Sequence, residues 1–429
     1  MKIVEGFNKA KPLLSRQGVM GLGGDAEQEK AVREIITDVR QRGDVALFDL
    51  TFQYDGVKLD ALEVTQEQVD KAYREADKEL ISALELAAER ITAYHTEQKK
   101  ALVKDNAKSK LGWLMRPLER IGVYVPGGSV PLPSSLLMTA VPARVAIVKE
   151  IIVMTPPGKQ GRVSPVTLAA AKIAKVGRIF SVGGAQAVAA LAYGTKTVPA
   201  VDKIYGPGNI YVTLAKKMVY GMVGVDGLYG PSEVIIIADD TASASNIAAD
   251  LLAQAEHGAA TSILITTSRK LADTVNSEIE KQLKVLSRRD VIVEALDKRG
   301  FIALVDNVDE AINLANLYAP EHLCLAVKNA ASYVDKVLNA GCLFVGENSI
   351  EALVDYVAGP SHVLPTGGTA RFGSPLNILD FIKLISVVKM DNTDLKQLGR
   401  AASVIARAEG LDAHARAVEK RLDKGQGGT

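Results

Sequence analysis

The chain alternates short, β-rich, largely apolar runs with longer stretches in which apolar positions recur every three or four residues. The runs fall at 122–125, 150–154, 178–182 and 201–204, then at 233–238, 262–266, 301–305, 324–327 and 342–345. Runs this short and this rich in Val and Ile predict strands buried on both faces. The intervening stretches, among them 164–176, 186–193, 242–254, 269–286 and 310–317, carry the helical period instead. Strand, helix, strand at such spacing predicts right-handed βαβ units and parallel sheets covered on both sides.

Two blocks of this kind emerge, 106–231 and 232–376, each with enough strands for its own sheet. Before them, 25–54 and 65–100 read as helical, and residues 1–21 as a short arm. From 376 onward the pattern is helical again, and GQGGT closes the chain as a frayed tail. The expected organisation is an N-terminal arm (1–21), a first α/β domain (22–105 plus 232–376), a second (106–231), and a C-terminal helical segment (377–429). The fold class is α/β: two Rossmann-like parallel-sheet domains that lack the usual dinucleotide fingerprint, since GxGxxG does not occur.

Charge removes several function classes. Lys and Arg number 51 against 50 Asp and Glu, a net charge of +1, so the basic excess of a nucleic-acid binder is missing. An apolar fraction of 48 % is too high for a disordered chain. Apolar stretches are broken well short of the ~20 residues a membrane span needs, and MKIVEGFNKAKPLL has no signal-peptide core. Two cysteines, Cys324 and Cys342, are too few for a disulfide framework or a thiolate metal site. These features predict a cytoplasmic protein.

Five histidines are present, and His95, in ITAYHTEQKK, reads as an ordinary helical one. In AQAEHG (253–258), Gln254 and His257 lie three apart near a helix end and can project from one face as metal ligands. Taken alone, a helix end with a histidine near the C-terminal dipole explains that pair at least as well. APEHL (319–323) sets Glu321 beside His322 between a helix and a strand, where an imidazole base and a water-activating carboxylate could sit. VDYVAGPSHVLPTGGTARF (354–372) reads as a long loop carrying Asp355 and His362, too apolar to be disordered. AEGLDAHARAV (408–418) carries Glu409 and His414 five apart in a helical pattern that a solvated terminal helix accounts for. SVGGAQAVAAL (181–191) is strand, Gly-Gly, helix, a turn able to aim backbone N–H groups at a phosphate. HExxH, GxSxG and CxxC are all absent.

Together, GVYVPGG, VGGAQA, VDKIYGPGN, GPSEV, AQAEHG, APEHL, DYVAGPSHVLPTGG and AEGLDAHA resemble the blocks of the histidinol dehydrogenase family, in order and over nearly the whole chain. The resemblance implies a zinc- and NAD-dependent enzyme that oxidises L-histidinol through an aldehyde to L-histidine with two NAD, the last step of histidine biosynthesis. It implies one zinc per subunit on Gln254, His257, Asp355 and His414, the last supplied by the other subunit of a homodimer. His322 matches the general base and Glu321 the residue that activates water. Ser232, His362 and Glu409 match further substrate contacts, beside His322 and the four metal ligands, while Tyr124, Gln186 and Asn209 match NAD contacts.

Two departures stand beside binding positions. VDGLYGPSEV replaces the family's usual Met-Pro-Ala before the Gly, and GGSVPLPSSLLM replaces a frequent Tyr-Pro-Ser. Cys324, two residues beyond His322, reads as a core residue. The alternatives are a related zinc- and NAD-dependent dehydrogenase acting on another small polar alcohol, such as a sulfonated diol, and a zinc hydrolase.

Overall fold

A computed structural model describes residues 1–15, 24–127 and 131–424. The tail at 425–429 and the last part of the N-terminal arm lie outside the described residues. Strand β1 (Lys2–Glu5) opens the chain, and β2 (Leu111–Pro117) follows a long helical stretch. Next come β3 (Arg120–Tyr124), β4 (Glu150–Thr155), β5 (Arg178–Ser181), β6 (Lys203–Tyr205) and β7 (Gly224–Val225). They are followed by β8 (Glu233–Ala238), β9 (Thr261–Thr266), β10 (Phe301–Leu304), β11 (His322–Ala326) and β12 (Cys342–Val345), with β13 (Ile382–Val388) near the end. The chain divides into two units, Met1–Lys99 with Pro117–Phe381, and Lys100–Arg116 with Ile382–Thr429.

The larger unit holds two sheets in which the strands pair in parallel. One is six-stranded, in the order β1-β10-β9-β8-β11-β12, and the other five-stranded, in the order β5-β4-β3-β6-β7. Strand β8 shows why the apolar runs are continuous. Val234, Ile236 and Ala238 enter a core with helices Ala244–Ala255, Arg269–Gln282 and Arg289–Arg299. Ile235 and Ile237 enter the opposite core with helix Val308–Tyr318. Alternate side chains point to opposite faces, so a strand covered on both sides must be apolar throughout. Each buried Val or Ile contributes about 1.5–3 kcal/mol.

Three features depart from the organisation read from the sequence. The N-terminal arm supplies a strand, since β1 pairs with β10 at the edge of the six-stranded sheet. The region 25–54 is two helices, Ala26–Arg42 and Asp44–Asp55, parted at Gly43. Their Val32, Ile36, Val39, Leu47 and Leu50 pack with Ile152, Phe180 and Leu191 on the five-stranded sheet, not with the domain of 232–376. The stretch after 376 is not wholly helical, because β13 precedes its helices and pairs with β2.

In the smaller unit β13 carries exposed Leu384, Ile385 and Val388. Helices Asn392–Ala408 and Asp412–Lys424 form a hairpin in which Gly399 admits Leu422 and Val418. Among the described residues no helix is long and apolar enough to cross a membrane.

Candidate active site

Open α/β sheets usually present ligands at the carboxyl ends of their strands, but Glu321 and His322 lie at the opposite edge of the six-stranded sheet. His322 is the first residue of β11, opposite Val234 and Cys342 in register. Ser232 immediately precedes β8. The approach to this edge is tightly built. Ala319 ends helix Val308–Tyr318 at φ +59°, a left-handed conformation that costs an alanine roughly 1–2 kcal/mol, and Pro320 stops the helix from continuing. The Glu321 carbonyl then accepts the Cys342 N–H at 2.8 Å. Gly341 is required beside it, since a Cβ there would meet the Glu321 carbonyl oxygen at 2.6 Å.

The Glu321 carboxylate accepts Ser232 Oγ at 2.6 Å and the Glu233 N–H at 2.9 Å. Burial pushes its carboxyl up to about 8, against the lowering effect of those two donors. His322 is 3 % exposed, and neither ring nitrogen has a hydrogen-bond partner among the described residues. Its Nδ1 lies 3.5 Å from Glu351 Oε1 and 3.8 Å from Glu321 Oε2. Burial holds the imidazole down to about 3, hence neutral.

Gln254 and His257 come from the end of helix Ala244–Ala255, with Gly258 at φ +81° closing the turn. Gln254 is fully buried, yet neither its amide oxygen nor its nitrogen has a partner among the described residues. Unpaired buried polar groups cost about 1–3 kcal/mol each, so a wholly structural amide here is a poor bargain. Asp355 is on the helix Glu351–Tyr356, not in the loop the sequence suggested. That helix adds a residue the sequence reading missed. Glu351, one turn before Asp355, is buried, and ligand atoms of His257, Glu351 and Asp355 all lie within 4.8 Å of one another. Only the four-residue spacing of Glu351 and Asp355 hinted at it.

Burial pushes the Asp355 carboxyl up to about 6 and raises Glu351 as well, helped by Asp355 beside it. Carboxyls forced toward neutrality, an orphaned amide and an imidazole form a nitrogen and oxygen donor set suited to a divalent cation such as zinc. His362 sits close by. Its Nδ1 donates to the Asp355 carbonyl at 2.8 Å, which leaves Nε2, 3.3 Å from Ser135 Oγ, as an acceptor.

Tyr124 lies on the five-stranded sheet, while Gln186 and Asn209 lie on segments that follow its strands β5 and β6. Strands β3, β4 and β5 step one way, and β6 returns to the other side of β3, so the order reverses between β3 and β6. Tyr124 ends β3, and Asn209 follows β6 as N-cap of helix Ile210–Val219, its Oδ1 accepting the Val212 N–H at 3.1 Å. A crevice at such a reversal is where dinucleotides bind in this architecture. Tyr124 Oη accepts the Gly184 N–H at 3.2 Å, at the start of helix Gly184–Tyr193, and buried Gln186 folds against Gly184. An open groove of about 1360 Å³ runs past Gly127, Thr155, Pro156 and Ser181. Ser181 Oγ is buried without a partner among the described residues.

Glu409 and His414 belong to the smaller unit. Glu409 caps helix Asn392–Ala408, Gly410 turns the chain at φ +78°, and His414 lies on the next helix; both side chains are exposed. His95, by contrast, is fully buried, its Nδ1 bonded to the Ile91 carbonyl at 2.9 Å. Cys324 packs in the core, and both cysteines are free thiols.

The family model for histidinol dehydrogenase matches residues 23–422. A histidinol dehydrogenase of Dehalococcoides mccartyi is 55 % identical over 99 % of this chain and 100 % of its own length. One of Thermus thermophilus is 49 % identical over 96 % of this chain and 99 % of its own. The crystal structure of histidinol dehydrogenase from Elizabethkingia anophelis superposes with a TM-score of 0.93 at 36 % identity, covering 99 % of each chain.

Proposed function

We propose how this chain, which belongs to the histidinol dehydrogenase family and is an NAD-dependent oxidoreductase, performs its reaction: a four-electron oxidation of L-histidinol to L-histidine through the aldehyde, with two NAD consumed. The observation that carries this reading is the buried His322 imidazole, its Nδ1 3.8 Å from Glu321 Oε2 and 3.5 Å from Glu351 Oε1, where Glu351 in turn lies in one cluster with His257 and Asp355. One zinc per subunit would be held by Gln254, His257, Asp355 and the His414 of a second copy. A cation there would supply positive charge that orients the substrate and favours the ionised form of the crowded carboxyls, and NAD would supply the hydride acceptor.

His322 acts in both oxidations. Neutral and unpaired, it takes the hydroxyl proton as the carbinol C–H is lost in the first step. In the second, Glu321 draws a proton from water as the water adds to the aldehyde. His322 returns the proton of the first step to the carbonyl oxygen, which gives a gem-diol, and then takes a hydroxyl proton from it as its C–H is lost. Ser232 holds Glu321 in place through its 2.6 Å hydrogen bond and contacts the substrate. His362 and Glu409 complete the substrate contacts. Tyr124, Gln186 and Asn209 hold NAD at the strand-order reversal, which places the cofactor on the domain of 106–231. Exposed Leu384, Ile385, Val388, Val404 and Ile405 in the smaller unit support burial against a second copy, hence a homodimer. Two free cysteines support a cytoplasmic place.

The direct test is NADH yield per histidinol consumed. Two equivalents are expected; one would mean the aldehyde escapes, and no NADH from histidinol, with turnover of a sulfonated diol, would move the enzyme to the alternative substrate.

Glu321→Gln separates the two half-reactions. Glutamine still accepts the Ser232 hydroxyl but cannot take a proton from water. Aldehyde oxidation is expected to fall by about 10²–10³-fold, within the range of general-base contributions, while alcohol oxidation changes less than tenfold. Equal losses in single-turnover assays of each half-reaction would remove Glu321 from the water-activating role.

A further inference from the structure

Beneath the loop of residues 206–209 lies an ion pair that the reaction as described does not use. Lys216, on helix Ile210–Val219, is 2 % exposed and pairs with Asp226, which follows β7 and is equally buried. The bonds of both groups converge on one residue, Gly206, through its N–H and its C=O. Lys216 Nζ donates to the Gly206 carbonyl at 3.0 Å, and the Gly206 N–H donates to Asp226 Oδ2 at 2.7 Å. Asp226 Oδ1 accepts Lys216 and, at 2.8 Å, the Gly227 N–H. The Lys216 ammonium also sits 4.8 Å from the Tyr229 ring centre, an attractive placement over a π face. Gly206 comes close against the end of β3: its φ is +110°, and a Cβ there would meet the Tyr124 carbonyl oxygen at 2.1 Å.

We propose that the Lys216–Asp226 pair is a positioning element for the cofactor loop: it clamps the N–H and C=O of Gly206 so that Asn209 and Tyr124 keep their relative placement at the NAD crevice. This rests on the reading of Tyr124 and Asn209 as NAD contacts. Stability is a poor reason for such a pair, because a buried ion pair is often matched or exceeded by apolar residues of similar volume. What apolar residues cannot supply is a donor and an acceptor aimed at the two peptide groups that flank one Cα. The rival role is on the substrate side, since the segment after Asp226 leads to Ser232.

The test uses full-length enzyme with its metal bound. Removing one partner strands a buried charge, so the double variant Lys216→Gln with Asp226→Asn is used, uncharged and of similar size. NADH binding without histidinol, followed by NADH fluorescence, is expected to weaken about tenfold, as is appropriate to a displacement below 1 Å. The KM for NAD should rise in parallel, with kcat at saturating NAD reduced less than threefold and metal content and histidinol affinity within twofold. Unchanged NADH affinity, or an equal loss of histidinol affinity, overturns the proposal. Asn209→Ala is measured alongside. If it weakens NADH binding and the double variant does not, the clamp is wrong and the cofactor assignment stands. If neither does, the cofactor assignment itself has failed and takes the clamp with it. Native enzyme provides a check independent of any variant's folding: the Gly206 amide should exchange with solvent as slowly as the core strands, and fast exchange would refute the clamp.

Discussion

His322→Ala slows both oxidations by about 10²–10⁴-fold, the span expected for loss of a general base, while metal content, histidinol affinity and NADH affinity stay near those of the parent enzyme. The imidazole is buried and neutral, and neither ring nitrogen has a hydrogen-bond partner among the described residues, so its removal strands none of them. Nearby carboxyls cannot replace it. Glu321 is held by Ser232 and the Glu233 N–H for the water-addition step, and Glu351 is pushed toward its protonated form by burial among other acids. Single-turnover rates for histidinol and for histidinal, with elemental analysis of the same samples, decide the matter. A fall in metal content matching the loss of rate would make His322 a ligand instead.

His257→Ala and Asp355→Ala act at the other end of the site. Each removes a donor from the cluster, and metal affinity should fall by at least about 100-fold, the upper end of what even outer-shell changes cause. Elemental analysis after dialysis is expected to show well under one metal per chain. Asp355 gives a second readout. Burial raises its carboxyl to about 6, so the metal-free folded state holds this proton more tightly than the unfolded chain, whose value is near 3.8. That contribution to stability is present below about pH 4 and is lost as pH rises through about 6. A bound cation takes the proton's place.

Zinc should therefore raise the melting temperature of the parent enzyme at pH 7 and leave Asp355→Ala almost unmoved. An equal zinc response in both would show the metal bound elsewhere. His414→Ala is expected to lose metal to a similar extent. Mixing it with His322→Ala chains should recover activity, because a hybrid dimer then contains one intact site. No recovery under conditions that exchange subunits would place His414 in its own chain's site or outside any.

Much of the fold is legible in the order of apolar residues. The runs 233–238 and 342–345 coincide with β8 and β12, because a strand covered on both faces leaves an unbroken apolar signature. β1 and β13 are not legible in this way. KIVE is an edge strand of mixed polarity, and IKLISVV belongs to a two-stranded sheet and is largely exposed, so neither carries that signature. For the site, local motifs single out Glu321 and His322, but Glu351 escapes. A glutamate on a short helix reads alike whether it faces water or an imidazole 3.5 Å away.

By itself, then, the order of residues determined the period of each element, hence parallel sheets with helices between them, and the motif residues able to carry acid–base and metal chemistry. Only the tertiary structure decided which sheet received helices Ala26–Arg42 and Asp44–Asp55, that His322 stands at the amino edge of its sheet, and that Lys216 and Asp226 close on Gly206. The physical reason is range. Periodicity records how much of an element is buried, a property of neighbours along the chain. The partner that buries it, and the shift that burial imposes on a titrating group, arise from segments far apart in sequence, whose identities no local pattern encodes.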